Sequence, residues 1–196
     1  MGIIVKIIDY FFDNIVSFFL YYYERFFMYR IKNAWGVANL RKIKNKGVNV
    51  KAVGYSRFLD PQNITLGNNV RIGYGCFLFG KGKIVIGDHT ILSRNITIYS
   101  SNHDYNGNMI PYDSNYVDKP VIIGKGVWIG MGVMITPGVT IGDGAIIGMG
   151  AVVSKNVGEG EIVVGASQRV ISKRDMTLFR EYEKNNAIFS VKHPHS

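Results

Sequence analysis

The sequence predicts a parallel β-solenoid, preceded by a helical segment and followed by a short helix. Three observations carry this. Aliphatic residues recur every sixth position in VWIGMGVMITPGVTIGDGAIIGMGAVVSK (127–155), at Ile129, Ile135, Ile141, Ile147 and Val153. That period is neither the 3.6 of a helix nor the 2 of a simple strand. A glycine or other small residue follows the aliphatic one, as in Ile129-Gly130 and Ile141-Gly142, where the backbone must turn sharply. Finally, the phase is lost over about 101–120 and resumes at Ile123-Gly124, so one long loop interrupts an otherwise continuous repeat.

The elements follow in chain order. Residues 1–57 form an apolar and basic helical segment. Lys6, Asp9, Asp13 and Ser17 fall at spacings of three and four and draw one polar stripe, with Ile4, Ile7, Ile8, Phe11, Phe12, Ile15, Phe18 and Phe19 around it. The end of the segment is basic, with Arg25, Arg30, Lys32, Arg41, Lys42, Lys44 and Lys46 against the single acid Glu24. It does not read as a secretory signal, because Asp9 and Asp13 interrupt the apolar run and no basic cluster precedes it. Its longest uncharged stretch, Asn14 to Tyr23, has ten residues, against the ~20 needed to span a bilayer. Residues 1–46 are therefore expected to lie on a membrane surface without crossing it, with a helical collar between copies of the chain as the competing reading. Lys6 stands where a myristoylation signal needs Ser or Thr.

Residues 58–171 carry the repeat. Nine six-residue units are legible, beginning with Ile72-Gly73 and Ile86-Gly87. In each, an aliphatic residue and a small or branched one four later point inward. Three units close a triangular coil, and the coils bury a core only by stacking. Residues 172–196 place Met176, Phe179, Tyr182 and Glu183 at helical spacing, so a C-terminal helix and a tail are expected.

Composition bounds the function. The chain has 196 residues, 47% of them hydrophobic, enough for a sizeable core. A formal charge of +9 suits an anionic partner such as a phosphate-rich cofactor or a membrane surface. Nucleic acid is disfavoured, because the basic residues are spread out and no recognition motif appears. Cys76 is the only cysteine, so no intrachain disulfide is available and a reducing compartment is expected. No metal site is indicated, since no paired histidines stand at ligand spacing with a carboxylate. No Walker-type loop appears.

The run V-W-I-G-x-x-V-x-I-x-P-G-V-T-I-G-D-x-x-x-I-x-x-G-A-V-V, here Val127 to Val153, together with the interrupting loop, resembles the hexapeptide-repeat acyltransferases. The likeness is greatest to the galactoside, maltose and xenobiotic O-acetyltransferase branch. That resemblance implies a left-handed coil, an exception to the usual crossover rule, a homotrimer with active sites between subunits, and acetyl-CoA as co-substrate without a metal.

It also implies roles for named residues. His103, in SNHDYNG at the start of the loop, matches the catalytic histidine and would act as general base, for which an imidazole is suited. Asn95 matches a position that contacts the acceptor sugar, although a turn asparagine in left-handed backbone reads the same way. Asp104 would orient the imidazole or bind sugar hydroxyls. Trp128, outward between Val127 and Ile129, would wall the acceptor site or pack on a neighbouring subunit. The stretches around Met131, Met149 and Ser154 correspond to the path of the pantetheine arm, Ser154, Lys155 and Arg169 match positions near its pantetheine and nucleotide ends, and Lys173 and Arg174 are candidates to add to them. The family's G-x-P-A-[RK] is here Gly165-Ala-Ser-Gln-Arg169, which lacks the proline and keeps the charge. His89, His193 and His195 read as surface residues.

The expected function is O-acetylation of a sugar hydroxyl, in a surface polysaccharide or its lipid-linked precursor, in the cytoplasm or at the inner face of the membrane. The alternatives are a small diffusible acceptor (a free sugar, an amino sugar or an antibiotic such as chloramphenicol) and a non-catalytic β-helix module.

Overall fold

The structure, a computed structural model, describes residues 2–104, 112, 114–165, 169–173 and 175–185. Side chains at 3–5, 7, 169, 171 and 172 lie outside that description, as do Arg174, His193 and His195. The chain opens as a nearly continuous helix: α1 (Gly2–Tyr22), a π-helical stretch Tyr23–Met28, and α2 (Tyr29–Leu40).

The solenoid then rises as three stacks of short strands. The first face holds Asn45–Lys46, Ile64–Leu66, Ile84–Ile86, Val121–Ile123 and Thr140–Ile141. The second holds Lys51–Ala52, Arg71–Ile72, Ile91–Leu92, Trp128–Ile129, Ile146–Ile147 and Glu161–Val164, and the third Arg57–Leu59, Phe77–Phe79, Thr97–Tyr99, Met134–Ile135 and Val152–Val153. All pairings within these stacks are parallel, so the fold is the expected β-solenoid. Arg169–Lys173 then returns antiparallel on Glu161–Val164. The inward residues Ile64, Ile72, Leu78, Ile84, Ile98, Ile129 and Val153 have no exposed surface, and they form one continuous core.

The six-residue pattern has a concrete cause at the corner joining the first face to the second. Gly47, Gly67, Gly87, Gly124, Gly142 and Gly158 stack there. A Cβ at Gly67 would lie 2.6 Å from the Asp88 amide nitrogen, and one at Gly124 2.8 Å from that of Asp143. Only glycine lets the next coil approach this closely. The Asx residue that follows then accepts a hydrogen bond from the coil before it. Asn68 Oδ1 accepts from Val48 N (2.9 Å), Asp88 Oδ1 from Asn68 N (2.7 Å) and Asp143 Oδ1 from Lys125 N (2.8 Å). One position on, Asn49 donates to Asn69 Oδ1 (2.8 Å), and Asn69 lies 3.2 Å from His89 Nδ1. His89 is thus a half-buried rung of a side-chain ladder as well as a turn residue.

The parallel pairing begins at Asn45, upstream of the boundary expected at residue 58. This first coil turns Ala52, Ser56 and Phe58 inward, so it carries no aliphatic period to be read. Helix α2 closes its open end. Leu40 is buried there, and Ile43 beyond the helix is fully so. Asn39 Nδ2 donates to Ser56 O at 2.9 Å, and Trp35 packs on Tyr55, with ring centroids 5.4 Å apart. At the other end α3 (Met176–Lys184) is capped by Asp175, whose Oδ1 accepts from Thr177 N and Leu178 N. It sets Phe179 and Met176 over the bare Cα atoms of Gly126 and Gly144. Its exposed Arg180–Glu159 pair, at 2.8 Å, contributes little by itself.

Gly36 is buried where α2 crosses the first coil, and a Cβ there would lie 2.8 Å from Gly54 O and in hard contact with Ala52 O. In a free helix Gly→Ala stabilises by about 1 kcal/mol. Here the sign should reverse. Gly36→Ala is expected to destabilise by about 1–3 kcal/mol, the usual cost of overpacking, read as a lower Tm in a thermal melt.

Candidate active site

The corner between the second and third faces requires left-handed backbone. Gly75, Asn95, Gly132 and Gly150 occupy it at φ 77, 57, 70 and 70, each amide donating to the coil before: Asn95 N to Tyr74 O, Gly132 N to Arg94 O, Gly150 N to Met131 O. Asn95 is the rung where an asparagine replaces glycine, which its tolerance of this conformation explains. Its Oδ1 lies against Gly75. The residues just before these, Tyr74, Arg94, Met131 and Met149, stand one above another and are exposed to solvent, Met149 at 69%. Among the described residues, nothing lies within 4 Å of where a Cβ would sit at Gly132 or Gly150. Trp128 projects from the second face beside this corner, 54% exposed, with its indole N–H directed to Ser93 Oγ at 3.4 Å.

The corner between the third and first faces carries the histidine. Past Ser100 the chain leaves the coil as a two-stranded ribbon, Ser101–His103 antiparallel to Tyr116–Asp118, with His103 directly opposite Tyr116. The imidazole stacks on Tyr112 (centroids 3.9 Å apart, interplanar angle 19°) and leans on Tyr116 (4.3 Å, 35°). Lys81 Nζ sits 4.4 Å from the Tyr116 ring centre, and Phe79 meets the same ring edge-on at 6.4 Å. His103 is therefore held by an aromatic clamp. Among the described residues its Nδ1 is buried with no partner, as is Ser101 Oγ two residues before; buried polar atoms of this kind are normally satisfied by a hydrogen-bond partner, water included. Asp104 is half-buried, and its amide donates to Asn115 O at 3.0 Å. Ser154 and Lys155 are exposed at this same corner, at the end of the strand Val152–Val153.

The residues expected from sequence thus fall into two groups within one chain. Asn95, Trp128, Met131 and Met149 gather at one corner. His103, Asp104, Ser154 and Lys155 gather at the other. The six steps along the third face from Asn95 to Ser101 span about 20 Å at ~3.3 Å per residue. Arg169 and Lys173 stand at the two ends of the antiparallel strand that tops the second face, and Lys173 is exposed. Sequence reasoning missed the clamp. Tyr112 and Tyr116 were visible as loop aromatics, but only the ribbon register sets Tyr116 against His103.

The family described as bacterial transferase hexapeptide (six repeats) matches residues 120–155. Among solved structures, a maltose O-acetyltransferase from Clostridium difficile 630 is 36% identical and superposes with a TM-score of 0.57 over 69% of this chain and 73% of its own. The chain belongs to the hexapeptide-repeat acyltransferases. A mutant of AntD, an N-acyltransferase from Bacillus cereus, in complex with dTDP and coenzyme A is 25% identical, with a TM-score of 0.61 over 76% of this chain and 95% of its own. A dTDP-4-amino-4,6-dideoxy-D-glucose acyltransferase of Escherichia coli is 33% identical over 100 residues, 40% of this chain. The chain spans about half, 48%, of that relative's length.

Cys76 takes no part in the site. It is buried, its Sγ donates to Ser93 O at 3.2 Å, and burial pushes its thiol from 9.0 up to about 11. The folded state thus favours the neutral thiol. That stability is fully present below pH 9 and is lost as pH rises through about 11. A thiol-labelling reagent at pH 8 should leave the native protein unmodified and label it on unfolding; fast native labelling would contradict this burial.

Proposed function

We propose that this protein is an acetyl-CoA-dependent O-acetyltransferase for a sugar hydroxyl, in a surface polysaccharide or its lipid-linked precursor. The observation that carries the reading is His103, clamped between Tyr112 and Tyr116 at the root of the loop, with a buried ring nitrogen that has no partner among the described residues, in a chain similar to sugar acyltransferases.

Bound acetyl-CoA would supply an acetyl group activated as a thioester. The corner at Gly132 and Gly150 suits it: the backbone is bare where a Cβ would stand, leaving room for an extended arm between the Met131 and Met149 side chains. Ser154 would bond the arm, and Lys155, Arg169 and Lys173 would meet its phosphates. His103 takes the proton from the acceptor hydroxyl as the oxygen forms its bond to the acetyl carbon, and delivers it to the departing sulfur. The flanking rings hold the imidazole in place for this, and Asp104 and Asn95 would bond the sugar's other hydroxyls, with Trp128 as an apolar wall. Because Asn95 and His103 lie at different corners of one chain, a complete site takes one corner from each of two neighbouring copies, as a homotrimer supplies. Residues 1–46 would hold this assembly on the inner face of the membrane, beside a lipid-borne acceptor.

A second reading, transfer to an amine, is favoured by the likeness to the two acyltransferases of amino sugars or with dTDP bound. Mild alkali separates the two products, since an ester is cleaved and an amide survives. His103→Ala is expected to lower kcat by roughly 10²-fold or more while coenzyme A binding by calorimetry is kept. Activity within a few-fold of wild type would place the base elsewhere. Trp128→Ala should raise the acceptor KM and leave Tm almost unchanged, because its indole is largely exposed.

A further inference from the structure

The helix that opens the chain has almost no protein around it. From Ile8 to Phe27 every residue is exposed, among them Phe11 (63%), Phe12 (65%), Phe19 (67%) and Phe26 (58%). Burial begins only near the end of α2, at Gly36 and Leu40. At 1.5 Å per residue, residues 8–35 span about 40 Å. No described helix is long and apolar enough to cross a membrane.

The shape of the apolar surface decides what covers it. Lys6, Asp9, Asp13, Asn14 and Ser17 lie on one side, while Phe11, Phe12, Ile15, Val16, Phe18 and Phe19 spread over nearly half of the circumference by helical geometry. The seam between two helices is narrower than this, which would leave the rings at its margins in water. A lipid surface covers the whole arc.

Charge points the same way. Where the apolar stretch ends, Tyr21, Tyr22, Tyr23 and Tyr29 form a belt, and within it Arg25 and Arg30 flank a groove of about 470 Å³ floored by Phe26 and Tyr29. Tyrosines with arginines at the end of an apolar stretch are the composition of a headgroup boundary. The arm is also rooted at the corner that carries Asn95 and Met131. Lys32 Nζ lies 6.0 Å from the Tyr74 ring centre, and Trp35 packs on Tyr55, both at the base of that column.

We propose that residues 8–35 form an arm lying in the headgroup layer of an anionic phospholipid bilayer, with Arg25 and Arg30 gripping lipid phosphates, and that it turns the corner bearing Trp128 and Met131 toward that surface. This rests on the proposed use of a lipid-borne acceptor for its purpose, and on the helix alone for its binding.

The test is flotation of the full-length protein with vesicles of two parts phosphatidylcholine to one part phosphatidylglycerol, with phosphatidylcholine alone as the comparison. Co-flotation with the anionic vesicles is expected, weakened by salt. Arg25→Glu with Arg30→Glu should reduce the bound fraction about ten-fold or more, and Phe12→Asp with Phe19→Asp should abolish it without altering the oligomer in light scattering. The proposal is overturned if the wild-type protein stays with the buffer, or if Phe12→Asp with Phe19→Asp breaks the oligomer and leaves flotation unchanged, which would assign the arm to a second copy. Flotation needs no turnover, so its failure leaves the transfer chemistry standing. An inactive His103→Ala protein that still floats separates the two in the other direction.

Discussion

Everything in this molecule depends on one close approach, the stacking of coil on coil at the glycine corner. Strands in register must lie about 4.8 Å apart, and at Gly67, Gly124 and Gly142 no side chain fits in that space. The aspartate or asparagine that follows makes the approach favourable as well as possible, because its oxygen satisfies an amide of the preceding coil. Each such bond contributes on the order of 1 kcal/mol. Their larger effect is on register. With this corner locked, each later coil lays its residues over those below, and Tyr74, Arg94, Met131 and Met149 become a column. One continuous surface is thus built from positions far apart in sequence by a rule that acts only between neighbouring coils.

A repeat of this kind has two raw ends, and both are covered by elements outside the repeat. Helix α2 lays Gly36 on the carbonyls of the first coil. The antiparallel strand Arg169–Lys173 pairs along Glu161–Val164, where an open edge would otherwise invite another chain. The buried polar side chains fit the same logic. Thr90 Oγ1 donates to Gly124 O at 2.8 Å and accepts from Val127 N at 3.2 Å, tying its own coil to the next one, which the long loop separates from it in sequence.

The repeat was legible because its cause is local: an aliphatic residue, a glycine and an Asx recur together wherever a coil turns. The first coil was not, because Ala52 and Ser56 fill inward places that carry large aliphatics later in the stack. His103 was legible from its place at the start of the loop, whereas its clamp depends on the pairing of His103 with Tyr116 across twelve intervening residues, a register that no local pattern encodes. Asn95 shows the opposite limit. Its residue type has a sufficient backbone explanation at φ 57, so sequence alone could not separate a turn residue from a contact with substrate. The division of the candidate residues between two corners was likewise hidden, since linear order says nothing about which vertex of a triangle a residue occupies.

The offsets between paired strands vary in one informative way. Partners lie 20 residues apart in the early coils (Asn45 with Thr65, Thr65 with Val85), 37 across the loop (Val85 with Ile122) and 18 later (Ile122 with Thr140). The additional residues gather at a single vertex, at 60–63, 80–83 and the ribbon that bears His103, while the three faces keep their register. That vertex therefore works as a cartridge port: chain can be added, removed or exchanged there with no rearrangement of the stack. A change of loop at this one edge of the prism leaves the edge that carries Met131, Gly132, Met149 and Gly150 in place.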